Sequence, residues 1–274
     1  MDQSRIDELH GEHWRKGWGS VSPLEVAFLQ DQIAAARPRR FAEIGMASGL
    51  SGGFIAALMA ENGGESFMTF DRDELFFGDR TKPNGYLIEA IYPGGPVAVD
   101  KRMKTTALDL AGSPLRFDMA FVDANHQHPW PLIDTLFLSP LLEGARVVIH
   151  HDLNLYRKQD RPIGIGPKYL WDQFPERLRE RSARDDGNIF ALKLDITDAE
   201  LASLAHDAFQ LPWSLAFALE DAQIDAVEAL LKARFPAALP GFSKGLKRFN
   251  AAAPRHRVDA PTRAARVYEA LVGR

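Results

Sequence analysis

Residues Phe41–Asp71 read FAEIGMASGLSGGFIAALMAENGGESFMTFD. The run Phe41 to Gly45 is apolar, short and closed by glycine, which predicts a strand. Leu50 to Glu61 spaces its apolar residues as a helix does and stops at Asn62-Gly63-Gly64. Ser66 to Phe70 is a second strand with Asp71 at its C-terminal end. Upstream, Ser22 and Pro23 open a helix that runs to Ala36.

The alternation continues downstream. Asn84 to Ile91 reads as a helix, Pro96 to Val99 as a strand and Thr105 to Leu110 as a short helix. Phe117 to Val122 is a buried strand followed by Asp123. A helix is expected from Pro131 to Leu142, then a strand from Arg146 to Ile149 that enters His150-His151-Asp152. Lys168 to Phe174 reads as a helix and Ile189 to Leu194 as the last strand. After Asp195 only helical patterns follow, at Asp198 to Ala208, Ala222 to Phe235 and Pro261 to Val272. Nearly all-apolar strands alternating with helices predict an α/β protein, with a doubly wound, mostly parallel sheet covered on both faces. Ligands of such sheets sit at the C-terminal ends of the strands. The loops after Ile44, Phe70, Val122 and Ile149 are therefore the candidate site.

Composition narrows the chemistry. The 274 residues include no cysteine, which excludes a thiol nucleophile and every cysteine-held metal. The N-terminus is charged and has no apolar core of a signal peptide, and no run of 18 apolar residues occurs. A cytoplasmic protein without membrane association is expected. Net charge is −4, yet residues 241–274 carry eight Lys or Arg against Asp259 and Glu269. That basic tail is a solvated helix face or a grip for an acidic partner.

The loop Gly45-Met46-Ala47-Ser48-Gly49 has the spacing G-x-x-x-G. It is not the dinucleotide fingerprint G-x-G-x-x-G, and no Lys-Ser/Thr follows as a P-loop requires. Its small residues serve either tight packing of turn on helix or a ligand laid against the backbone. Asp71, 26 residues after Gly45, is placed to accept both hydrogens of a ribose diol. In the other half, Asp123 and Asp152 each follow an apolar strand and fall on one rim. Two carboxylates there suit Mg²⁺; with a histidine as true ligand, Mn²⁺, Fe²⁺ or Zn²⁺ gains ground. His126, three residues past Asp123, has a pKa suited to removing a proton. His150 alternates with His151, so one of them faces helices as a satisfied core residue.

Glu43 to Ser51, Asp71 and Phe121-Val122-Asp123 to His126 resemble the class I S-adenosylmethionine-dependent methyltransferases. The D-x-x-H, Asp134 and the strand ending in His151-Asp152 are similar to one branch of them, with Gly166 to Asp172 and Asn188-Ile189 in support. That branch groups small-molecule O-methyltransferases, among them macrolide-sugar enzymes, with cephalosporin-hydroxylase-like proteins. The resemblance covers residues 22–194 and implies a Rossmann-like seven-stranded sheet with a reversed last hairpin. It implies that Glu43, Gly45, Ala47, Ser48, Gly49, Ser51 and Thr105 line the cofactor and that Asp71 holds its ribose. It places Asp123 by the methionine portion. It implies a divalent metal, Mg²⁺ first, on Asp123, His151 and Asp152, with His126 as catalytic base beside Asp123. Three positions depart from the pattern: Ala124 stands for a glycine, His128-Pro129-Trp130-Pro131 for a Tyr-Glu, and His151 for an acid.

The expected organisation is an N-terminal helical lid over residues 1–22, a methyltransferase domain over 23–195 and a helical extension over 196–274. His10, His13, Trp14 and Trp18 lie in the lid segment. In the extension, the stripe Ile224, Val227, Leu230, Leu231 and Phe235 either packs on its own domain or joins copies in a homo-oligomer. The expected activity is O-methylation of a small hydroxylated acceptor such as a sugar or polyketide. The alternative is a non-catalytic or hydroxylase-like protein that keeps the fold. Nucleic acid is not expected as a partner, since only the tail is basic and no N-P-P-Y-type motif follows the Phe117–Val122 strand.

Overall fold

A computed structural model of the chain describes residues 1–15, 20–157, 164–184 and 186–257, with side chains to residue 252. Seven strands form one sheet: β1 (Arg40–Ile44), β2 (Ser66–Asp71), β3 (Ala98–Met103), β4 (Phe117–Val122), β5 (Leu142–His150), β6 (Arg179–Arg181) and β7 (Phe190–Lys193). Their order is β3-β2-β1-β4-β5-β7-β6. The first five run parallel, and β7 pairs antiparallel with both β5 and β6. The helices are α1 (Gln3–His13), α2 (Pro23–Ala36), α3 (Leu50–Glu61), α4 (Ile88–Ile91), α5 (Trp130–Leu138), α6 (Gly166–Gln173), α7 (Asp198–Phe209), α8 (Asp221–Arg234) and α9 (Leu239–Arg257).

Alternate residues of each central strand feed two separate cores, as the two-residue period of a strand requires. Phe41, Phe67, Met119, Phe121 and Ile149 pack under α1, α2 and α3. Ala42, Phe70, Ala120, Val122 and Val148 pack on the other face, under α5 to α9. Both faces are covered, which is why these strands read as continuous apolar runs. Val227, Leu231 and Phe235 of the α8 stripe are buried within this second core, so that part of the stripe is used by its own domain. On the opposite face, α1 buries Ile6 and Leu9 beside α2.

Several boundaries differ from the sequence expectation. The helix expected over 84–91 forms only at Ile88–Ile91, because residues 84–87 make turns that pack on the glycine loop: Gly85 donates to the Ala47 carbonyl and Leu87 to that of Ser48. The strand expected over 96–99 lies at Ala98–Met103, and the helix expected to end at Leu142 ends at Leu138. A 3-10 turn with Pro140 in its first residues replaces the last turn of that helix. β6 reads Arg-Glu-Arg and has no apolar signal, as suits a short charged edge strand. α9 carries Pro240, Gly241 and Gly245, which hide it from propensity. A Cβ on Gly241 would meet the His206 carbonyl at 2.4 Å, and one on Gly245 the Phe209 carbonyl at 2.3 Å, so both glycines let α9 lie against α7. The helix expected at 261–272 and Trp18 lie outside the described residues. No helix among the described residues is long and apolar enough to cross a membrane.

The register decides where the polar residues emerge. Ile44 pairs with both Phe70 and Val122, and Val122 pairs with His150. One row across the sheet therefore reads Phe70, Ile44, Val122, His150. The next residues, Asp71, Gly45, Asp123 and His151, stand side by side on its C-terminal rim.

Candidate active site

The rim has two halves. In the first, Gly45 leaves β1 at φ +96, a conformation that favours glycine. A Cβ there would stand 2.3 Å from the Asp123 carbonyl oxygen, so the glycine loop lies directly on the chain leaving β4. The Asp71 carboxylate accepts from the Ala47 and Asp73 amides, each at 2.9 Å, one bond to each oxygen. Each oxygen keeps lone pairs for a diol. Thr105 donates its amide to the Asp71 carbonyl and its hydroxyl to that of Met103. Ser48 is buried with its carbonyl taken by Leu87, and Gly49 caps α3 at φ +86.

Glu43 sits beneath this loop with no exposed surface. It accepts hydroxyl hydrogen bonds from Ser51 at 2.6 Å and Thr69 at 2.5 Å. Burial pushes its carboxyl up to about 8, against the pull of the two hydroxyls. The Ser51 hydroxyl is thus directed at Glu43.

In the second half, Asp123, His126, His151 and Asp152 each offer an atom within 4.8 Å of all the others. His126 Nε2 lies 3.1 Å from Asp123 Oδ1 and 3.4 Å from Asp152 Oδ2. His151 Nδ1 lies 3.2 Å from Asp123 Oδ1 and 3.7 Å from Asp152 Oδ1. Two ligands about 2.1 Å from one ion stand about 3.0 Å apart at a right angle and about 3.4 Å at a tetrahedral one. The four histidine–carboxylate distances lie within what two ligands of one divalent cation can span. Asp152 occupies the left-handed region at φ +62, which aspartate tolerates, and accepts from Asn188 Nδ2 at 3.0 Å.

Electrostatics follow from this crowding. Burial disfavours ionised Asp123, but His151 and His126 outweigh it and hold the carboxyl well below the usual range. Burial likewise disfavours charged His126 and His151, and the surrounding carboxylates raise both above the ordinary value. Asp134, buried in α5, is pushed up to about 7 by burial. His150 Nε2 donates to Thr135 Oγ1 (3.0 Å), whose own hydrogen goes to the Pro131 carbonyl, and the ring stacks on Phe190; burial lowers it to about 3. It is the core histidine of the pair. His128 is also buried, with Nε2 donating to the Ala208 carbonyl at 3.0 Å, and burial lowers it to about 3.

Sequence reasoning missed Glu25. It caps α2 with Ser22, and the spacing Ser22-x-x-Glu25 announces only that cap. In the fold its Oε1 meets His151 Nε2 at 3.1 Å and Asn188 Nδ2 at 3.0 Å. Burial raises its carboxyl, and His151 outweighs that and holds it at about 2.

Comparison with known proteins agrees with this geometry. Residues 42–153, which include the last three residues of β1, all of β2 to β5 and every rim residue named above except Glu25 and Asn188, match the family model described as "Methyltransferase domain". A search of curated proteins returns no match. Among solved structures, the chain resembles the O-methyltransferase TomG from Streptomyces achromogenes, solved with S-adenosylmethionine. The identity is 22%, with 70% of this chain and 88% of that one covered and a TM-score of 0.47. An O-methyltransferase from Bacillus cereus, solved with S-adenosylhomocysteine, is 18% identical over 70% and 92% of the two chains, with a TM-score of 0.48. A methyltransferase from Podospora anserina, also solved with S-adenosylhomocysteine, is 19% identical over 70% and 86%, with a TM-score of 0.47. The segment that matches the methyltransferase-domain model thus carries both halves of this rim.

Proposed function

We propose that this chain methylates an oxygen of a small hydroxylated molecule, such as a sugar or polyketide, with a divalent cation at the Asp123–Asp152 cluster. The observation that carries the reading is the meeting of the two halves of the rim. Gly45 packs on the Asp123 backbone, so a cofactor on the glycine loop has its reactive end beside Asp123, His126, His151 and Asp152. The glycine loop and the free lone pairs of Asp71 suit a ribose and a methionine tail that carry no phosphate.

In this reading the cofactor supplies a methyl group on a sulfonium, and the cation lowers the pKa of a bound acceptor hydroxyl. Asp71 fixes the ribose, and Asp123 and Asp152 fix the acceptor's oxygen. His126 takes the acceptor proton at Nε2; the two carboxylates facing that nitrogen favour its protonated form, so a cation drawing on them would first have to free it. Alignment and charge placement do the rest, since the displacement itself needs no covalent help from the protein.

Calorimetric titration with S-adenosylhomocysteine tests the cofactor, and a screen of catechols and hydroxylated sugars with labelled S-adenosylmethionine tests the acceptor. Micromolar product binding with methyl transfer to oxygen is expected. With an acceptor in hand, His126→Ala is expected to slow turnover by about 10²–10⁴-fold while product affinity holds. Unchanged turnover would remove His126 from the proton transfer, and absence of cofactor binding would remove the activity.

A further inference from the structure

We propose that Glu25, in the first turn of α2, aims His151 at the cation and makes the site select a transition metal over magnesium. The inference rests on the cation-assisted reading above and deepens it.

Glu25 Oε1 accepts from Asn188 Nδ2 at 3.0 Å, and Oε2 accepts from the Ser22 amide at 2.6 Å. A carboxylate is an acceptor only, so the His151 nitrogen facing Oε1 at 3.1 Å, Nε2, carries a hydrogen. Nδ1 is the nitrogen turned toward the site, 3.2 Å from Asp123 Oδ1 and 3.7 Å from Asp152 Oδ1; facing carboxylates it too carries a hydrogen, which a cation would displace while Nε2 keeps its own on Glu25. A carboxylate on the far nitrogen of a ligating histidine fixes its tautomer and ring orientation and strengthens its donation. Glu25 is buried and locked at both oxygens, so the ring cannot turn away. Asn188 ties the arrangement together by donating to Glu25 and to Asp152.

Magnesium takes oxygen ligands and gains little from an imidazole. Manganese, iron, cobalt and zinc accept mixed nitrogen and carboxylate sets, in rising preference along the divalent series. Two carboxylates and one preset imidazole therefore favour the latter group.

The test uses the full chain, stripped with EDTA and dialysed. Co²⁺, Mn²⁺, Zn²⁺ and Mg²⁺ are titrated singly by calorimetry, and the visible absorption of bound Co²⁺ reports nitrogen ligation. Co²⁺ and Zn²⁺ are expected to bind at least tenfold more tightly than Mg²⁺. Glu25→Gln is expected to weaken Co²⁺ by about 10–100-fold. His151→Asp is expected to narrow or reverse the ranking toward Mg²⁺. Mg²⁺ binding as tightly as Co²⁺, no cation binding at all, or Glu25→Gln binding Co²⁺ like the parent would each overturn the proposal. If Glu25→Gln does not fold, the parent's ranking and His151→Asp still decide. S-adenosylhomocysteine titrated in EDTA keeps the two readings apart. Its binding without any cation binding sinks this inference and the cation's part in the proposed function but leaves methyl transfer standing, and cation selectivity without its binding sinks methyl transfer alone.

Discussion

Gly45→Ala separates two costs that sequence alone would merge. The residue has φ +96, and an added Cβ would stand 2.3 Å from the Asp123 carbonyl oxygen and 2.6 Å from its carbon. Both atoms are backbone at the end of a central strand, paired on both sides, so neither yields cheaply. Left-handed backbone costs an L-residue about 1–2 kcal/mol. Forcing atoms into a filled space adds about 1–3 kcal/mol. Gly63 supplies the control: its φ is +80, and nothing lies within 4 Å of an added Cβ. Gly63→Ala should therefore show the backbone cost alone, and Gly45→Ala both, about 2–5 kcal/mol. In a chain of this size 1 kcal/mol moves the midpoint by about 2–4 °C. Thermal unfolding followed by circular dichroism is expected to place Gly45→Ala roughly 5–15 °C below the parent and clearly below Gly63→Ala. Equal midpoints for the two variants would refute the close approach of β1 and β4 at this rim.

Two further expectations concern the rim. Glu43 titrates near 8 in the fold against an ordinary 4.5, so between those values the native state binds more protons and loses stability as pH rises. Glu43→Gln lacks that loss, and its stability relative to the parent should grow with pH over this window by at most about 1.4 kcal/mol per unit, then level off; urea unfolding at pH 5, 6.5 and 8 would expose a flat difference if the carboxyl is not so raised. Asp71→Ala removes the proposed ribose acceptor and should weaken S-adenosylhomocysteine at least tenfold by calorimetry, whereas parent-like affinity would take Asp71 out of the cofactor site.

The sheet was legible because strands covered on both faces are apolar throughout. Phe117–Val122 is bounded in the structure as it reads in the sequence. Asp71, Gly45, Asp123 and His151 could be placed on one rim because each directly follows such a strand. Glu25 could not, since its partner His151 is 126 residues away and its local pattern already has a sufficient reason in the cap. β6 was hidden because a charged edge strand is stabilised by its neighbour β7, not by burial of its own side chains. α9 was hidden because the glycines that weaken it alone are what let it reach α7. The turns at 84–87 replaced a helix because their amides find carbonyls on the glycine loop, a pairing no local window contains.

The C-terminal helices do more than cover the sheet. Ser214 Oγ accepts the His128 amide at 2.8 Å, and the Ser214 amide donates to the His128 carbonyl at 3.0 Å. Gln127 Oε1 accepts the Ala216 amide at 2.9 Å, and the His128 ring is held by the Ala208 carbonyl. These four bonds grip the two residues that follow His126, while the matched methyltransferase segment ends at 153. The extension is thus a splint on the loop that carries His126, and any load that lifts the segment between α7 and α8 is transmitted to His126 through one or two peptide units.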